Sequence, residues 1–190
     1  MSRAYRITVK ESETRELRGE DEICTRLELL EVLPPAAMGK LLADELKGRG
    51  FTENEDGTLT RRDGKLTVTV DPCNGEVSVK SEVEEKVTIE AKREATGWDD
   101  VGPGLDGVRD RTKEQLRQDI ERKAGRESER LQGQATEALE KHLADLQPEL
   151  SQVINKITRE ALKEKAKQLG SIKEISEDAE TGSLTIKIEV

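Results

Sequence analysis

The chain has 190 residues, of which 38% are charged, 33% are apolar and only 2% are aromatic, and its formal net charge at pH 7 is −9. An apolar share this low is typical of one domain with a thin aliphatic core, alone or with an extended element, rather than of two well-packed domains. Acidic and basic residues are interleaved, without the concentrated basic face that nucleic-acid binding requires, so we expect no nucleic-acid partner.

The cysteine content and the hydropathy indicate where such a chain would work. Cys24 and Cys73 are the only cysteines, which is too few for a disulfide scaffold and favours a reducing setting. No run approaches the ~20 apolar residues that a transmembrane helix needs, and residues 1–6 lead into a strand pattern without a signal-peptide core. We therefore expect a cytoplasmic protein with no transmembrane segment.

The first quarter of the chain predicts two strands and a helix. Residues 5–9 and 23–29 alternate between apolar and polar side chains, which is typical of strands with one buried face. The charged residues 11–21 between them predict a loop. Pro34 and Pro35 end the second strand and open a helix, because proline is tolerated in the first helical turn. The apolar stripe of that helix consists of Met38, Leu41, Leu42 and Leu46.

Hairpin signals follow this helix. Asp-Gly occurs at 56–57 and 63–64 and Asn-Gly at 74–75, and such dipeptides favour tight turns between strands. The alternating segments that they separate predict an antiparallel meander with one buried face. Residues 95–108 contain four glycines and a proline, which break both the helical and the strand periodicity and predict a linker.

Residues 109–170 predict one very long helix, or a helical hairpin broken at Pro148. Residues 109–131 contain few large apolar side chains, so we expect this part to project or to find a partner. The later part is richer in apolar residues and we expect it to pack back toward the sheet. Its seam has coiled-coil-like spacing and consists of Leu139, Leu143, Leu146, Leu150, Val153 and Ile157.

The last residues, 171–190, predict a closing β-hairpin. Because a two-stranded hairpin is marginal alone, we expect it to dock on the N-terminal sheet or to form a small second sheet. The predicted class is therefore α+β, with a small antiparallel sheet, one packing helix, a long helical arm or helical hairpin and a C-terminal β-hairpin. The expected boundaries are 1–94 for the β-rich domain, 95–108 for the linker, 109–170 for the helical region and 171–190 for the hairpin docking on the sheet.

No pattern in the chain specifies a reaction. His142 is the only histidine, so a zinc site of characteristic spacing is not expected, and neither cysteine has a base close to it in sequence. The glycine-rich residues 102–107 lack the Gly-Lys-Ser/Thr of a phosphate-binding loop. We expect no catalytic residue, no cofactor site and no metal site, and hence a protein that is not an enzyme.

Partner binding is the better expectation. Trp98 is the only tryptophan, and a tryptophan in a glycine-rich acidic segment either folds back over the protein or anchors an interface. The apolar positions of the long helix are the other candidates. The predicted partner-binding residues are Trp98, Leu116, Ile120, Leu131, Leu139, Leu143 and Leu146.

Four segments carry a resemblance to a known family. They are residues 3–12 (RAYRITVKES), 21–25 (DEICT), 174–178 (EISED) and 182–187 (GSLTIK). The chain resembles a small bacterial family of accessory domains from the ternary systems linked to an FtsH-type AAA+ membrane protease. The resemblance implies a bacterial cytosolic accessory protein that works beside an ATPase-protease, and it carries over no functional residue.

The leading functional hypothesis is a non-enzymatic adaptor or scaffold that binds protein partners, or itself as a homo-oligomer, through the helical arm. Its apolar seam would be buried against a partner helix, and the interleaved charges would set the register. One alternative is a self-assembling structural protein that forms oligomers or filaments. Another is a sensor that binds a small ligand or a peptide on the face of the sheet.

Overall fold

The structure is a computed structural model that describes residues 4–98, 104–177 and 183–189. Over these residues the protein is α+β, as the sequence predicts. The elements are β1 (Ala4–Arg26), α1 (Pro35–Gly48), β2 (Thr52–Glu53), β3 (Leu59–Asp63), β4 (Leu66–Val70), β5 (Glu76–Trp98), α2 (Leu105–Leu169), β6 (Ser171–Glu177) and β7 (Leu184–Glu189).

Five strands form one antiparallel sheet in the order β1-β5-β4-β3-β2. The predicted turns connect its central strands, and Gly57, Gly64 and Gly75 have φ values of 84°, 65° and 74°, which residues with a Cβ rarely adopt. The register places Val68 opposite Val79 and Leu59 opposite Val70. One face of the meander therefore carries a continuous patch of aliphatic side chains.

The strands β1 and β5 are much longer than predicted, at 23 residues each. They run antiparallel: the Thr14 and Thr88 hydroxyls lie 3.1 Å apart, and the Leu27 amide donates to the Gly75 carbonyl over 2.8 Å. The loop predicted for residues 11–21 is wrong, because that segment is strand. Residues 95–98, expected in the linker, also belong to β5.

The helix α2 is continuous over 65 residues, with Pro148 inside it. Of the two alternatives, one long helix and a helical hairpin, the structure has the long helix. Proline lacks the N–H that would bond to the carbonyl four residues earlier, so one bond is lost there without ending the helix.

The chain divides into two compact units, and the first comprises Met1–Asp21 and Glu82–Glu137. Here the beginning of α2 packs on the ribbon of β1 and β5. The buried side chains form two clusters, one of Ile89, Ala91, Leu116, Ile120 and Ala124, the other of Val83, Leu131 and Ala135. The expectation that residues 109–131 project is therefore wrong. Few apolar residues suffice because a two-stranded ribbon offers only a narrow face to cover.

The second unit comprises Glu22–Ser81 and Ala138–Val190 and holds the larger core. The stripe of α1 packs there with the aliphatic face of the meander and with the later part of α2, as expected. The fully buried side chains include Leu42, Leu46, Leu59, Val68, Val70, Val77, Val79, Val153 and Ile157.

The terminal hairpin forms a two-stranded sheet of its own, which is the second of the two predicted alternatives. A bulge between Ile172 and Glu174 shifts the register, so that Ile172 pairs with Ile188 and Ile175 pairs with Ile186. Because the bulge adds one residue to β6, its two isoleucines share one face of the hairpin. The opposite face carries the ion pairs Lys173–Glu189 and Lys187–Glu174.

Candidate interaction surface

The residues predicted to bind a partner lie in two kinds of environment. Five of the helix residues are buried within their own units, with Leu116 and Leu131 at 0% exposure; the other three are Ile120, Leu139 and Leu146. Leu143 is half-buried against the core of the second unit. Partner binding by the buried residues stays a prediction, and it would require their packing within the chain to be undone.

Trp98 is exposed at the end of β5, with 53% of its surface accessible. The residue before it, Gly97, is buried under the ring of Tyr5, where a Cβ would lie 2.4 Å from the Tyr5 Cζ atom. Successive residues of a strand face opposite sides, so the Trp98 side chain leaves the face that Tyr5 covers. Of the two interpretations of Trp98, anchoring an interface requires an exposed side chain such as this one. Interface anchoring by Trp98 stays a prediction.

An open groove with mainly apolar walls lies within the second unit. It has a volume of about 450 Å³ and lies between the end of β1 and the later part of α2. Its strand wall includes Ile23, which is 41% exposed, and Thr25, which is exposed as well. Its helix wall includes Leu143, Leu146, Leu150 and Ile154. Two predicted residues, Leu143 and Leu146, are therefore brought together with a strand residue.

The groove residues Ile23, Leu150 and Ile154 are absent from the predicted set. The alternation of residues 23–29 does indicate that Ile23 lies on the apolar side of its strand. What the alternation cannot indicate is that β1 stands at the edge of the sheet. A strand pattern looks the same in the middle of a sheet and at its border, so the exposed end of β1 has no signal in the sequence.

The groove has two charged residues in its lining. One is Glu28, which is exposed, and the other is Arg26, whose Nε donates to the Asn74 carbonyl over 2.8 Å. In the surrounding segment of the second unit, residues 22–31, there are three carboxylates and one basic residue. A ligand with positive charges beside apolar side chains would match this segment.

A network of ion pairs lies on another part of the second unit. Arg61 donates to both carboxylate oxygens of Glu149, over 2.7 and 2.9 Å, and its guanidinium stands 4.7 Å from the centre of the Phe51 ring. The hydrogen bonds from Arg61 lower the pKa of Glu149. Burial opposes the ionisation of Glu45, but the bonds from Lys156 and Arg49 outweigh it, so the pKa of Glu45 is also lowered.

His142 faces the end of β3 from α2. Its Nε2 lies 3.8 Å from an Asp63 carboxylate oxygen and has no hydrogen-bond partner among the residues that the structure describes. The side chain is 18% exposed. The imidazole therefore packs between α2 and the end of β3.

The fold and the groove together define a class: an α+β domain with one long helix, an antiparallel sheet and an apolar groove within its second unit. Within that class, the chain matches the family described as FtsH ternary system domain X5 over residues 1–190, and it belongs to that family. This confirms the resemblance of the four segments and the context of a protease system. Neither the curated proteins nor the solved structures contain a match to this chain. None of the described helices has a stretch long and apolar enough to cross a membrane.

Proposed function

We propose that this domain is a non-enzymatic adaptor of an FtsH ternary system and that it binds a protein partner in the groove between β1 and α2. The observation that carries the proposal is the groove itself. Ile23 from the strand and Leu143 from the helix remain accessible there, although Leu139 and Leu146, the leucines before and after Leu143 on the helix, are buried. Contiguous exposed apolar surface with a polar rim is typical of protein interaction sites.

In this proposal the helical arm remains the binding element, but the partner contacts its half-buried residues rather than its buried seam. The seam residues Leu139 and Leu146 already contribute to the core, so their burial stabilises the domain itself. Leu143 and Ile154 pack only partly against that core, so a partner can bury the remainder without unfolding any element.

The environment of the partly buried charges supports a non-enzymatic role. Glu149 is held by Arg61, and Glu45 is held by Arg49 and Lys156. A catalytic acid or base has to be accessible to a substrate and to change its protonation near the working pH. Carboxylates whose pKa is lowered by ion pairs stay charged and serve to hold α1, β3 and α2 together.

The test is co-purification of the full chain with an FtsH-type protease, with Leu143→Lys compared with Ala144→Lys. Both variants add the same ammonium to α2, but Leu143 lines the groove and Ala144 is exposed outside its lining. We expect Leu143→Lys to reduce the recovered protease at least tenfold and Ala144→Lys to leave it unchanged. Equal recovery with both variants, each shown to be folded by circular dichroism, would contradict the proposal.

Self-assembly is a second candidate, which the terminal hairpin favours. Its aliphatic face comprises Ile172, Ile175, Leu184, Ile186 and Ile188, and none of these belongs to the three core clusters of the described residues. Ile175 is 43% exposed. A second copy could cover this face.

Light scattering at several concentrations tests this candidate. If the hairpin mediates assembly, the mass should rise with concentration and the rise should disappear in Ile175→Lys. Ser176→Lys is the matched control because Ser176 is exposed next to it on the opposite face. A constant monomer mass over the whole range would exclude assembly through the hairpin.

A further inference from the structure

We infer that the groove accepts an extended segment of the partner, in which aliphatic residues alternate with lysine or arginine, as an added strand along the outer edge of β1 at Cys24 and Arg26. The inference rests on the proposed function, because it specifies the chemistry of the partner in the same groove. The binding mode, an added strand, follows neither from the family match nor from the volume of the groove. Three observations in the second unit carry it.

The first observation is the position of β1 at the edge of the sheet, over the residues that the structure describes. The strand β1 is the last in the order β1-β5-β4-β3-β2. Leu27 bonds through its N–H to the Gly75 carbonyl, 2.8 Å away. In an antiparallel pair, every second residue bonds to the partner strand and the residues between point their N–H and C=O groups outward. Cys24 and Arg26 are such intermediate residues, so their backbone groups face away from β5.

The second observation is that the apolar groove lies directly beside this edge. Ile23 and Thr25 stand on the face of β1 that faces α2, and both line the groove together with Leu143. A strand added to β1 would project alternate side chains onto the same face. Those side chains would enter the groove and cover Leu143 and Ile154. Main-chain bonds to a sheet edge combined with pockets for alternate side chains are a known mode of peptide recognition.

The third observation is the charge at the edge. Residues 22–31 contain three carboxylates, Glu22, Glu28 and Glu31, against Arg26 as the single basic residue, and the Arg26 guanidinium is engaged with the Asn74 carbonyl. The net charge of the chain has the same sign, at −9. Because successive residues of a strand face opposite sides, side chains of an added strand that point away from the groove would stand on the face of β1 that carries Glu22. Positive side chains at those positions complement the edge, and negative ones are repelled.

A second copy of this chain is a weaker match for the groove. Its strand β7 alternates correctly, with Leu184, Ile186 and Ile188 on one face. The charges of β7 are Lys187 and Glu189, and they cancel, so β7 lacks the positive charge that the edge selects. A cationic segment of a different protein is therefore the occupant that we propose.

The experiment uses a fluorescein-labelled peptide, acetyl-KVKVTVKV-amide, titrated with the full chain and followed by fluorescence anisotropy. Two further peptides test the charge and the backbone hydrogen bonds separately. EVEVTVEV reverses the charge, and KVKVPVKV removes one backbone donor. We expect the lysine peptide to bind and the other two to bind at least tenfold more weakly. Raising the salt concentration should weaken the binding of the lysine peptide, because exposed charges are screened.

Variants of the protein connect this binding to the groove. Ile23→Asp should raise the Kd of the lysine peptide at least tenfold, because it places a carboxylate on the apolar wall. Leu30→Asp is the matched control: Leu30 is 63% exposed and does not line the groove, and its Kd should stay within twofold. Both variants add one negative charge, so a general electrostatic effect would change both equally and overturn the inference.

The results separate this inference from the proposed function. If the lysine peptide does not bind while protease recovery still depends on Leu143, the added-strand binding mode is overturned and the proposed adaptor function stands. Equal binding of the lysine and glutamate peptides, or of the threonine and proline peptides, would also overturn it. A dimer in light scattering that Ile23→Asp dissociates would assign the groove to a second copy and reject the cationic segment.

Discussion

At Gly19 the strand β1 closely approaches the backbone of α2 in the first unit. A Cβ at this position would lie 2.3 Å from the carbonyl carbon of Leu131 and 2.5 Å from the backbone nitrogen of Gln132. Backbone atoms of a packed helix cannot move aside as the end of a flexible side chain can. Only glycine therefore fits where the two elements meet.

Gly19→Ala should lower the free energy of unfolding by at least about 2 kcal/mol, the cost of inserting a methyl group into a filled contact. Urea denaturation followed by circular dichroism measures the change. Gly133→Ala is the matched control on α2, because a Cβ there meets nothing within 4 Å. It should raise the stability by about 0.5–1 kcal/mol, since alanine favours a helix over glycine. A neutral Gly19→Ala would show that the strand and the helix separate easily at this point.

Ser81 is fully buried in β5, and its hydroxyl has no hydrogen-bond partner among residues 4–98, 104–177 and 183–189. Burying an unpaired hydroxyl costs about 1–3 kcal/mol in proteins. Ser81→Ala should therefore stabilise the protein by about 1 kcal/mol in the same urea titration. The control is Ser78→Ala on the opposite face of the strand, where the hydroxyl bonds to Glu22, and a small loss is expected there. A destabilised Ser81→Ala would indicate that the hydroxyl is paired in solution.

At the scale of the elements, ion pairs help apolar packing to hold α2 against the strands. In the first unit Arg15 bonds to Glu121, Arg93 to Asp119 and Arg130 to Glu85. The side chains of the Arg15–Glu121 and Arg130–Glu85 pairs are 29–64% exposed, so each of these pairs contributes little by itself. The pair of Arg93 and Asp119, at 34% and 22%, and the pair of Arg61 and Glu149, at 16% and 27%, are more buried.

Glu149→Gln should lower the stability at pH 7 by about 1–3 kcal/mol, less than the ~3–5 kcal/mol of a fully buried pair. Arg61 lowers the pKa of Glu149 from its ordinary value of 4.5. The contribution of this pair to the free energy of unfolding is therefore fully present above that value. It is lost as the pH falls through the lowered pKa of the folded protein. Unfolding titrations from pH 7 to pH 3 should show a steeper loss in the wild type than in Glu149→Gln. Parallel pH profiles would mean that the pair contributes nothing to stability.

The sequence predicts the elements of the second unit well because each has an apolar periodicity and a turn signal of its own. The stripe of α1, the glycine turns and the later part of α2 are examples. The prediction of a loop at residues 11–21 was wrong because Leu17 is the only large apolar residue in that segment, so the alternation that indicates a strand is missing. Arg15 makes its ion pair with Glu121, which is 106 positions away in the chain, so no local pattern marks the segment as strand. The groove was not predicted for the same reason, because its walls come from Ile23 and from α2, which are distant in the sequence.

At the scale of the whole molecule, a low apolar content is accommodated by dividing the core into separate clusters. The cluster of the second unit contains more buried side chains than either cluster of the first unit. Local opening is easier where fewer apolar contacts must be broken. The two units should therefore differ in their local stability.

Hydrogen exchange followed by mass spectrometry should detect this difference. Amides of β4 and of α2 near Val153 should be the most protected, and amides of β1 before Asp21 should exchange faster. In Leu42→Ala, protection in the second unit should fall because a large buried side chain is lost. Equal protection of β1 and β4 in the wild type would contradict the division of the core.

The pairing of β1 with β5 has a consequence for synthesis on the ribosome. Residue 14 is translated 74 positions before its partner residue 88, which is a delay of about 4–15 s at common bacterial elongation rates of ~5–20 residues per second. During that interval β1 has left the ribosome without the strand that will pair with it. Nine of the thirteen residues 10–22 are charged, and charged side chains keep a lone strand from pairing with other nascent chains. The same composition that conceals this strand from sequence analysis protects it until its partner is made.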